Sequence, residues 1–426
     1  SALDVQMYDD ARIHTVGDNS PAILGPGANS AFNFEADGLG ATEGLPMIAT
    51  FGDGSAGILM HGAGGSAATV QFDDITSTLG PGLQTSGDNS TLVDMDLGGN
   101  SSLNVAGANT SFGTFGDGSG VFDLSVGYDS DLLLLLQNST LTSEGDDATL
   151  VDVTRGSSSL LAAVIIDSTF EASGDGSGGL VFHVDEGDVS SDTFFLGNVT
   201  VDTEGNDAPA FMVEQGGYSS SRTVQIEESN FTTKGTNSAG VYVGALGDGS
   251  ASDLTVIDTM ISTRGNDSAG LFFNGAGSLS AATVSLTNVD ISTGGENSNA
   301  VTLLGVVNDT GVASFSVLDS TLATEGDNSV GLLAVPLSGS TGDSTGVVSL
   351  DNLTVSTLGA GSTGVIIGDA GLYDGPPPTV PDTTVDYDLA NVTVSTAGND
   401  ADGIVVYGLG AGGPNTEASV SFENVA

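Results

Sequence analysis

The chain contains no cysteine and no tryptophan, and only five of its 426 residues are lysine or arginine, against 55 aspartates and glutamates. Without cysteine it has neither disulfides nor thiolate metal sites. The net charge of −50 excludes nucleic acid and anionic membranes as partners, because both are bound through cationic side chains. Apolar runs such as Leu132–Leu136 are far shorter than the about 18 residues of a membrane helix, so no membrane insertion by this chain is predicted.

Glycine is abundant, at 64 residues, and is accompanied by many Ser, Thr, Asn and Asp. These residues disfavour helices, whereas Val, Ile, Leu and Phe recur in short runs that favour strands. The hydrophobic fraction of 38% and the mean hydropathy of +0.15 provide enough apolar surface for a core, which argues against disorder. The composition therefore predicts an all-β protein, and its charge favours an extracellular setting that supplies salt or divalent cations.

A short motif recurs along the whole chain: Thr-x-Gly, then two polar residues, a small residue and an apolar strand. Clear copies are Phe231–Val241 and Ile261–Leu271. Successive copies lie about thirty residues apart, which indicates a repeat architecture. The thirteen repeat glycines are Gly17, Gly52, Gly87, Gly116, Gly145, Gly174, Gly205, Gly235, Gly265, Gly295, Gly326, Gly359 and Gly398.

Apolar residues lie four before and six after each repeat glycine, and the alternation around them has the period of a strand. One strand therefore enters the glycine, a second leaves it, and a third precedes both, as in Leu254–Val256. Strands this short can pair only with the same strand one repeat away. The sequence predicts one parallel β-helix domain over 1–426, with about 13 coils of roughly 30 residues, three short strands in each, and irregular insertions near 25–46, 73–82 and 368–384.

The corners carry their own columns. Threonine stands two residues before the repeat glycine in eleven of thirteen copies, and serine or alanine stands three residues after it in all of them. Small residues let a tight corner repeat, and their hydroxyls can bond along the stack. Seven residues before the glycine, Asn or Asp recurs, which predicts a left-handed backbone with amides laddered between coils.

The pattern from Ile13–Gly17 to Thr396–Ile404 resembles the passenger domains of bacterial autotransporters and related surface adhesins. The resemblance covers nearly the entire chain and implies a right-handed parallel β-helix, export, surface exposure and an adhesive or scaffolding role. One departure from that family is expected, since the β-helix pattern continues to the last residues given and no C-terminal membrane barrel is recognised among them. The expected function is a non-enzymatic extracellular or cell-surface β-solenoid.

Calcium is the one cofactor for which the sequence offers candidate ligands. Aspartate follows the repeat glycine in consecutive copies, and strands one coil apart are about 4.8 Å apart, so the carboxylates form a column of like charge. The alternative interpretation is that Gly-Asp is favourable turn chemistry. The candidate ligands are Asp53, Asp88, Asp117, Asp146 and Asp175.

Two contact surfaces are predicted. An outward apolar patch on the third strand would join Leu133, Leu135, Val164 and Phe195. Head-to-tail stacking into a surface fibre would use the open backbone at both ends of the helix. The residues expected at those ends are Ile13, Val420, Phe422 and Asn424. The partners are thus expected to be a second copy of the chain or a component of the cell surface or matrix.

A carbohydrate-binding or carbohydrate-cleaving function, like that of pectin lyases, is the alternative. Lys234 and Arg264 occupy the same position in successive coils and could hold a sugar acid, or could simply relieve repulsion. Adjacent carboxylates are expected by chance in so acidic a chain. The three histidines, His14, His61 and His183, lie in distant coils, and no metal cluster is expected from them.

Overall fold

The computed structural model describes residues 2–8, 11–26, 29–37, 47–75, 81–184, 189–307, 311–338, 344–368, 383–407 and 417–426. Within these residues there is no helix, and the regular structure consists of parallel strands. The fold is a β-solenoid of about 12 turns with about 31 residues per turn, which confirms the predicted parallel β-helix. The chain divides into two compact units, Ser1–Val213 and Glu214–Ala426. One continuous domain over 1–426 stays a prediction.

The first unit contains 21 strands among its described residues. They are β1 (Ala2–Tyr8), β2 (Ile13–Val16), β3 (Ile23–Leu24), β4 (Ala31–Asp37), β5 (Ile48–Phe51), β6 (Ile58–Gly62), β7 (Ala67–Asp73), β8 (Leu83–Ser86), β9 (Val93–Leu97), β10 (Ser102–Ala108), β11 (Ser111–Phe115), β12 (Phe122–Val126), β13 (Asp131–Gln137), β14 (Thr140–Glu144), β15 (Val151–Arg155), β16 (Leu160–Ile166), β17 (Thr169–Ser173), β18 (Leu180–Val184), β19 (Ser191–Gly197), β20 (Thr200–Thr203) and β21 (Phe211–Val213).

The second unit contains a further 19 strands among its described residues. They are β22 (Ser221–Glu227), β23 (Asn230–Thr233), β24 (Val241–Val243), β25 (Ala251–Ile257), β26 (Met260–Thr263), β27 (Leu271–Ala276), β28 (Ala281–Thr287), β29 (Asp290–Thr293), β30 (Val301–Val307), β31 (Val312–Leu318), β32 (Thr321–Thr324), β33 (Val330–Ser338), β34 (Ser344–Asp351), β35 (Thr354–Thr357), β36 (Thr363–Gly368), β37 (Thr383–Ala390), β38 (Thr393–Thr396), β39 (Asp402–Tyr407) and β40 (Glu417–Glu423).

In each unit the strands repeat in threes and form three parallel sheets. Sheet A takes the first strand of every turn, beginning with β1 in the first unit and β22 in the second. Sheet B takes the next strand, which enters the repeat glycine, and sheet C takes the strand that leaves it. Each strand pairs with the equivalent strand one turn away, as Val224 of β22 does with Leu254 of β25. The predicted assignment of three strands per repeat is confirmed.

Alternate residues of each strand enter the core, because successive side chains in a strand point to opposite faces. In β25, Ser252, Leu254 and Val256 are buried while the residues between them face outward. Aromatic rings stack inside the first unit, where Phe72 meets Phe112 edge-on at a centroid distance of 5.4 Å. The inward columns inferred from the repeat therefore form the hydrophobic core.

The corner after sheet B is held by hydroxyls that bond between turns. The Ser298 hydroxyl donates to the carbonyl oxygen of Gly265 in the preceding turn at 3.0 Å, and it accepts the backbone N–H of Ser268 at 3.0 Å. Buried serines repeat this at the other two corners, where Ser250 Oγ accepts the N–H of Ser220 and Ser168 Oγ accepts the N–H of Ser139. The sequence predicted one such column, and the structure has three.

The predicted bend column is confirmed as left-handed backbone. Asn138 and Asn198 have φ of 46° and 52°, in the region that Asn tolerates better than most residues. Their amides form the expected ladder: Asn138 Nδ2 donates to Asn109 Oδ1 at 2.6 Å, and Asn198 Nδ2 donates to Asp167 Oδ1 at 2.7 Å. These polar side chains satisfy one another along the stack.

The three predicted insertions have different outcomes. The prediction that 25–46 is irregular is wrong for Ala31–Asp37, which forms β4 and pairs in register with β1 and β7. The strand was not predicted because long connections change its distance from the repeat glycine. Within 73–82, Asp73 ends β7 and Asp74 has φ of 53°. Most of 368–384 lies outside the described residues.

Two adjacent glycines in the second unit allow the close approach of backbone at the corner to be tested by substitution. A Cβ on Gly295 would overlap the carbonyl oxygen of Gly265, whereas a Cβ on Gly294 would have no heavy atom nearer than 3.7 Å. We expect Gly295→Ala to lower the unfolding free energy by about 1–3 kcal/mol or more, because overpacking forces backbone shifts. Gly294→Ala should stay close to wild type in thermal and denaturant unfolding. Equal losses in both variants would contradict the stacked-corner geometry.

Candidate functional site

The aspartates predicted to bind calcium lie in one exposed column in the first unit. Each carboxylate accepts the backbone N–H of the residue one turn on: Asp146 N–H donates to Asp117 Oδ1 at 2.9 Å, and Asp117 N–H donates to Asp88 Oδ1 at 3.2 Å. Asp53 and Asp175 belong to the same ladder. The column is therefore a hydrogen-bonded part of the corner, with one oxygen of each carboxylate used by the backbone.

Calcium binding at this column stays a prediction. Among the described residues, no three His, Cys, Asp or Glu side chains are grouped so that they could hold a metal ion. A bridging cation would have to bind between successive carboxylates of the ladder.

The predicted apolar patch lies on the outer face of sheet A in the first unit. Leu133 and Leu135 of β13 are 40% and 39% exposed, and Val164 and Phe195 are half-buried. Leu135 pairs in register with Val164, and Val164 pairs in register with Phe195, so the three side chains form one row across three strands.

Leu160 and Ile166 of β16 extend this patch, and Leu160 is 54% exposed. We call the outward residues Leu133, Leu135, Leu160, Val164, Ile166 and Phe195 the sheet A patch. Asp131 is the only charged residue among the sixteen outward positions of β10, β13, β16 and β19. The equivalent face of β25 and β28 in the second unit is mostly Ser, Thr and Ala.

The residues predicted to make end-to-end contacts lie in β2 of the first unit and in β40 of the second, except for Asn424, which follows β40. Ile13 begins β2 and is half-buried. In β40, Val420 is half-buried and Phe422 is 53% exposed. Asn424 continues the bend ladder, donating from Nδ2 to Asn391 Oδ1 at 3.1 Å.

A row of acidic and histidine side chains on the outer face of sheet C was missed by the sequence analysis. Asp94, Asp123 and Asp152 are in register on adjacent strands β9, β12 and β15. His61 Nε2 lies 3.0 Å from Asp94 Oδ1 at one end, and His183 Nε2 lies 3.4 Å from Asp152 Oδ1 at the other. We call these five residues the Asp–His row. The three aspartates could have been found from the sequence, because each lies seven residues after a repeat glycine.

Two of the five cations lie inside the solenoid. The Arg155 guanidinium is fully buried and donates to both carboxylate oxygens of Asp192, at 2.6 and 2.9 Å, and to the Gly156 carbonyl oxygen at 3.2 Å. In the second unit, buried Arg222 donates to the Gly244 carbonyl oxygen at 2.7 Å. These arginines are therefore parts of the core and are unavailable to a substrate.

A concavity of about 450 Å³ lies on the outer side of sheet B in the first unit. Its lining includes Glu144, Glu171, Asp202 and Glu204, together with Phe115, and contains no lysine or arginine. Lys234 and Arg264, the cations considered for a sugar acid, directly follow β23 and β26 in the second unit. The lining therefore offers no cationic side chain to neutralise a substrate carboxylate.

Comparison with known proteins identifies no family. No protein-family model matches the sequence, and no curated protein matches it. Among solved structures, the chain is similar to one in the cryo-EM structure of the Vag8–C1 inhibitor complex, with TM-score 0.45, 15% identity, and coverage of 99% of this chain and 99% of that one. A weaker likeness is to the PL6 family alginate lyase AlyGC, with TM-score 0.16, 6% identity, and coverage of 100% and 96%.

At these TM-scores neither likeness bears on function, which has to be sought in the surface residues of this chain. The described part of the chain has no helix with the length and apolar content needed to cross a membrane.

The aspartate ladder can be tested at Asp117. Asp117→Ala removes the acceptor of the Asp146 N–H, and we expect it to lower the unfolding free energy by about 0.5–1 kcal/mol. Asp117→Asn keeps an acceptor and removes one charge from the column, so its stability should equal or exceed that of the wild type. Thermal unfolding of the three proteins, with calcium and with a chelator, measures this. A loss in Asp117→Asn confined to the calcium samples would instead support a bound cation.

Proposed function

We propose that this chain is a non-enzymatic extracellular β-solenoid with a structural or adhesive role, and that it contacts its partner through the sheet A patch. The observation that carries the proposal is the row Leu135, Val164 and Phe195. This row puts apolar side chains on the outer face of three adjacent strands of sheet A. Contiguous exposed apolar surface on a soluble protein marks sites of interaction.

The composition supports an extracellular location. With a net charge of −50, the chain repels itself at low ionic strength, and salt or divalent cations outside the cell would screen that repulsion. The absence of cysteine is compatible with export. The resemblance of the corner motif to those of autotransporter passengers points the same way.

A carbohydrate-directed function is the alternative, and the concavity on sheet B is the observation that favours it. Two of its carboxylates, Glu144 and Glu171, lie on the neighbouring strands β14 and β17. Paired carboxylates are the groups that glycoside hydrolases use. The apolar character of the sheet A patch makes contact with another protein the better-supported proposal.

The chemistry of the patch limits its partner. A strongly basic partner would be held by carboxylates, and the patch offers Asp131 alone at its edge. A second copy of this chain, meeting patch to patch, buries apolar surface while the net charges of the two copies repel each other. Contact between copies should therefore strengthen with salt, opposite to the behaviour of a charge-complementary pair.

Sedimentation velocity over a range of protein and salt concentrations tests the patch. We expect the wild type to associate more strongly as salt is raised, and Leu135→Asp to abolish the association because it places a charge in the apolar row. Thr255→Asp is the matched control, since Thr255 holds the same position in β25 that Leu135 holds in β13. Both variants should melt like the wild type.

A wild-type protein that stays monomeric at every salt concentration would overturn contact between copies. Association that Leu135→Asp and Thr255→Asp reduce equally would place the contact elsewhere.

End-to-end stacking into a fibre remains part of the proposal. It would place β40, in which Val420 and Phe422 both take the inward face because they lie two residues apart and pair with buried Tyr387 and Leu389, against the first turn of the next copy, which contains Ile13. Electron microscopy of the purified protein at high salt should show fibres, and both Val420→Asp and Phe422→Asp should shorten them, because each places a charge on the inward face of the last strand. Single particles alone under all conditions would refute the stacking.

A further inference from the structure

We propose that the Asp–His row is a proton-uptake site, which makes the stability of the first unit depend on pH in the weakly acidic range. The proposal concerns the outer face of sheet C and is independent of the proposed function. It rests on three carboxylates in register with an imidazole against each outer one.

The geometry makes Asp123 the member that holds a proton most readily. Its neighbours in the row, Asp94 and Asp152, lie on the strands to either side, about 4.8 Å away along the stack. The outer carboxylates each have an imidazole as a partner, whereas Asp123 has a carboxylate on both sides. Like charges at this distance disfavour the ionised form.

The surroundings of Asp123 raise its pKa to about 6, although part of the residue is exposed to solvent. Desolvation of the carboxyl group by the neighbouring side chains is the largest cause, and the charges of Asp152, Asp94 and Asp96 act in the same direction. His61, which pairs in register with Asp96, lowers the pKa of Asp123.

His183 faces the row from β18 at the far end, against Asp152. The two strands beside β12 therefore present three carboxylates to Asp123, namely Asp94 and Asp96 from β9 and Asp152 from β15. The two imidazoles lie one strand further out, on β6 and β18.

The direction of the effect on stability follows from the raised pKa. An aspartate in the unfolded chain titrates near pH 4, so between about pH 4 and pH 6 the folded protein binds more protons at Asp123 than the unfolded one. Stability from this group is fully present below about pH 4 and is lost as the pH rises through about 6. Above that pH the ionised row opposes folding.

Few imidazole or thiol groups titrate alongside Asp123 in the weakly acidic range. The chain has three histidines and no cysteine, and two of the histidines belong to the row. Most carboxyl groups in proteins titrate near pH 4. Asp73 of β7 is a further carboxyl whose pKa is raised, by desolvation and by the charges of Asp74 and Asp37, and it lies on sheet A.

Potentiometric difference titration tests the proposal. The proton-binding curve of Asp123→Asn is subtracted from that of the wild type, and the difference should be about one proton with a midpoint near pH 6. Asp253→Asn, on the outward face of β25 in the second unit, is the matched control. It makes the same change at an outward aspartate whose in-register neighbours are Thr223 and Thr283 instead of carboxylates. A midpoint near pH 4 for Asp123→Asn would overturn the proposal.

Two further measurements test the same site. The wild type should melt at a higher temperature at pH 5 than at pH 7, and Asp123→Asn should show a smaller difference between the two. His61→Gln should move the Asp123 midpoint upward, because it removes the charge that lowers that pKa. An unchanged pH dependence in Asp123→Asn, or a downward shift in His61→Gln, would count against the row as the site of proton uptake.

Discussion

Close approach of backbone between neighbouring turns at the repeat glycine is the constraint on which the rest of the structure depends. At Gly265 and Gly295 a side-chain carbon would overlap the carbonyl of the glycine one turn before, so only glycine fits. The same approach brings each corner serine hydroxyl within reach of that carbonyl, as Ser298 is of Gly265. A buried polar group is stable only when it is hydrogen-bonded, and here the turns satisfy each other.

Because the corners fix the spacing of the turns, outward positions are free to vary without disturbing the core. The carboxylates of Asp117 and Asp146, the apolar row through Val164 and the Asp–His row through Asp123 are three chemistries on one scaffold. Each arises because in-register strands place equivalent residues of successive turns side by side. Surface chemistry is therefore built turn by turn, and function on such a fold depends on those outward residues.

The repeat was enough to predict the core, the three strands and the bend ladder, because these recur at fixed offsets from glycine. Features that do not recur at a fixed distance from the repeat glycine could not be predicted in this way. Strand β4 is one example, because it lies in a turn that its connections lengthen. The Arg155–Asp192 pair was missed because charged residues are ordinarily placed outside. His61 and His183 are far apart in sequence, and only the register of the intervening strands brings them to one row.

The aspartate ladder, the sheet A patch and the Asp–His row all depend on the register between strands of successive turns. Because the chain has no cysteine, this register can be measured by disulfide trapping. Leu135 and Val164 are paired in register, whereas Leu133 and Val164 are displaced by two residues. A disulfide needs Cα atoms about 4.4–6.8 Å apart, which an in-register pair satisfies and a pair about 7–8 Å apart does not. The double variant Leu135→Cys with Val164→Cys should cross-link within one chain on mild oxidation, and Leu133→Cys with Val164→Cys should not. Preferential cross-linking of the displaced pair would contradict the register and, with it, the single apolar face.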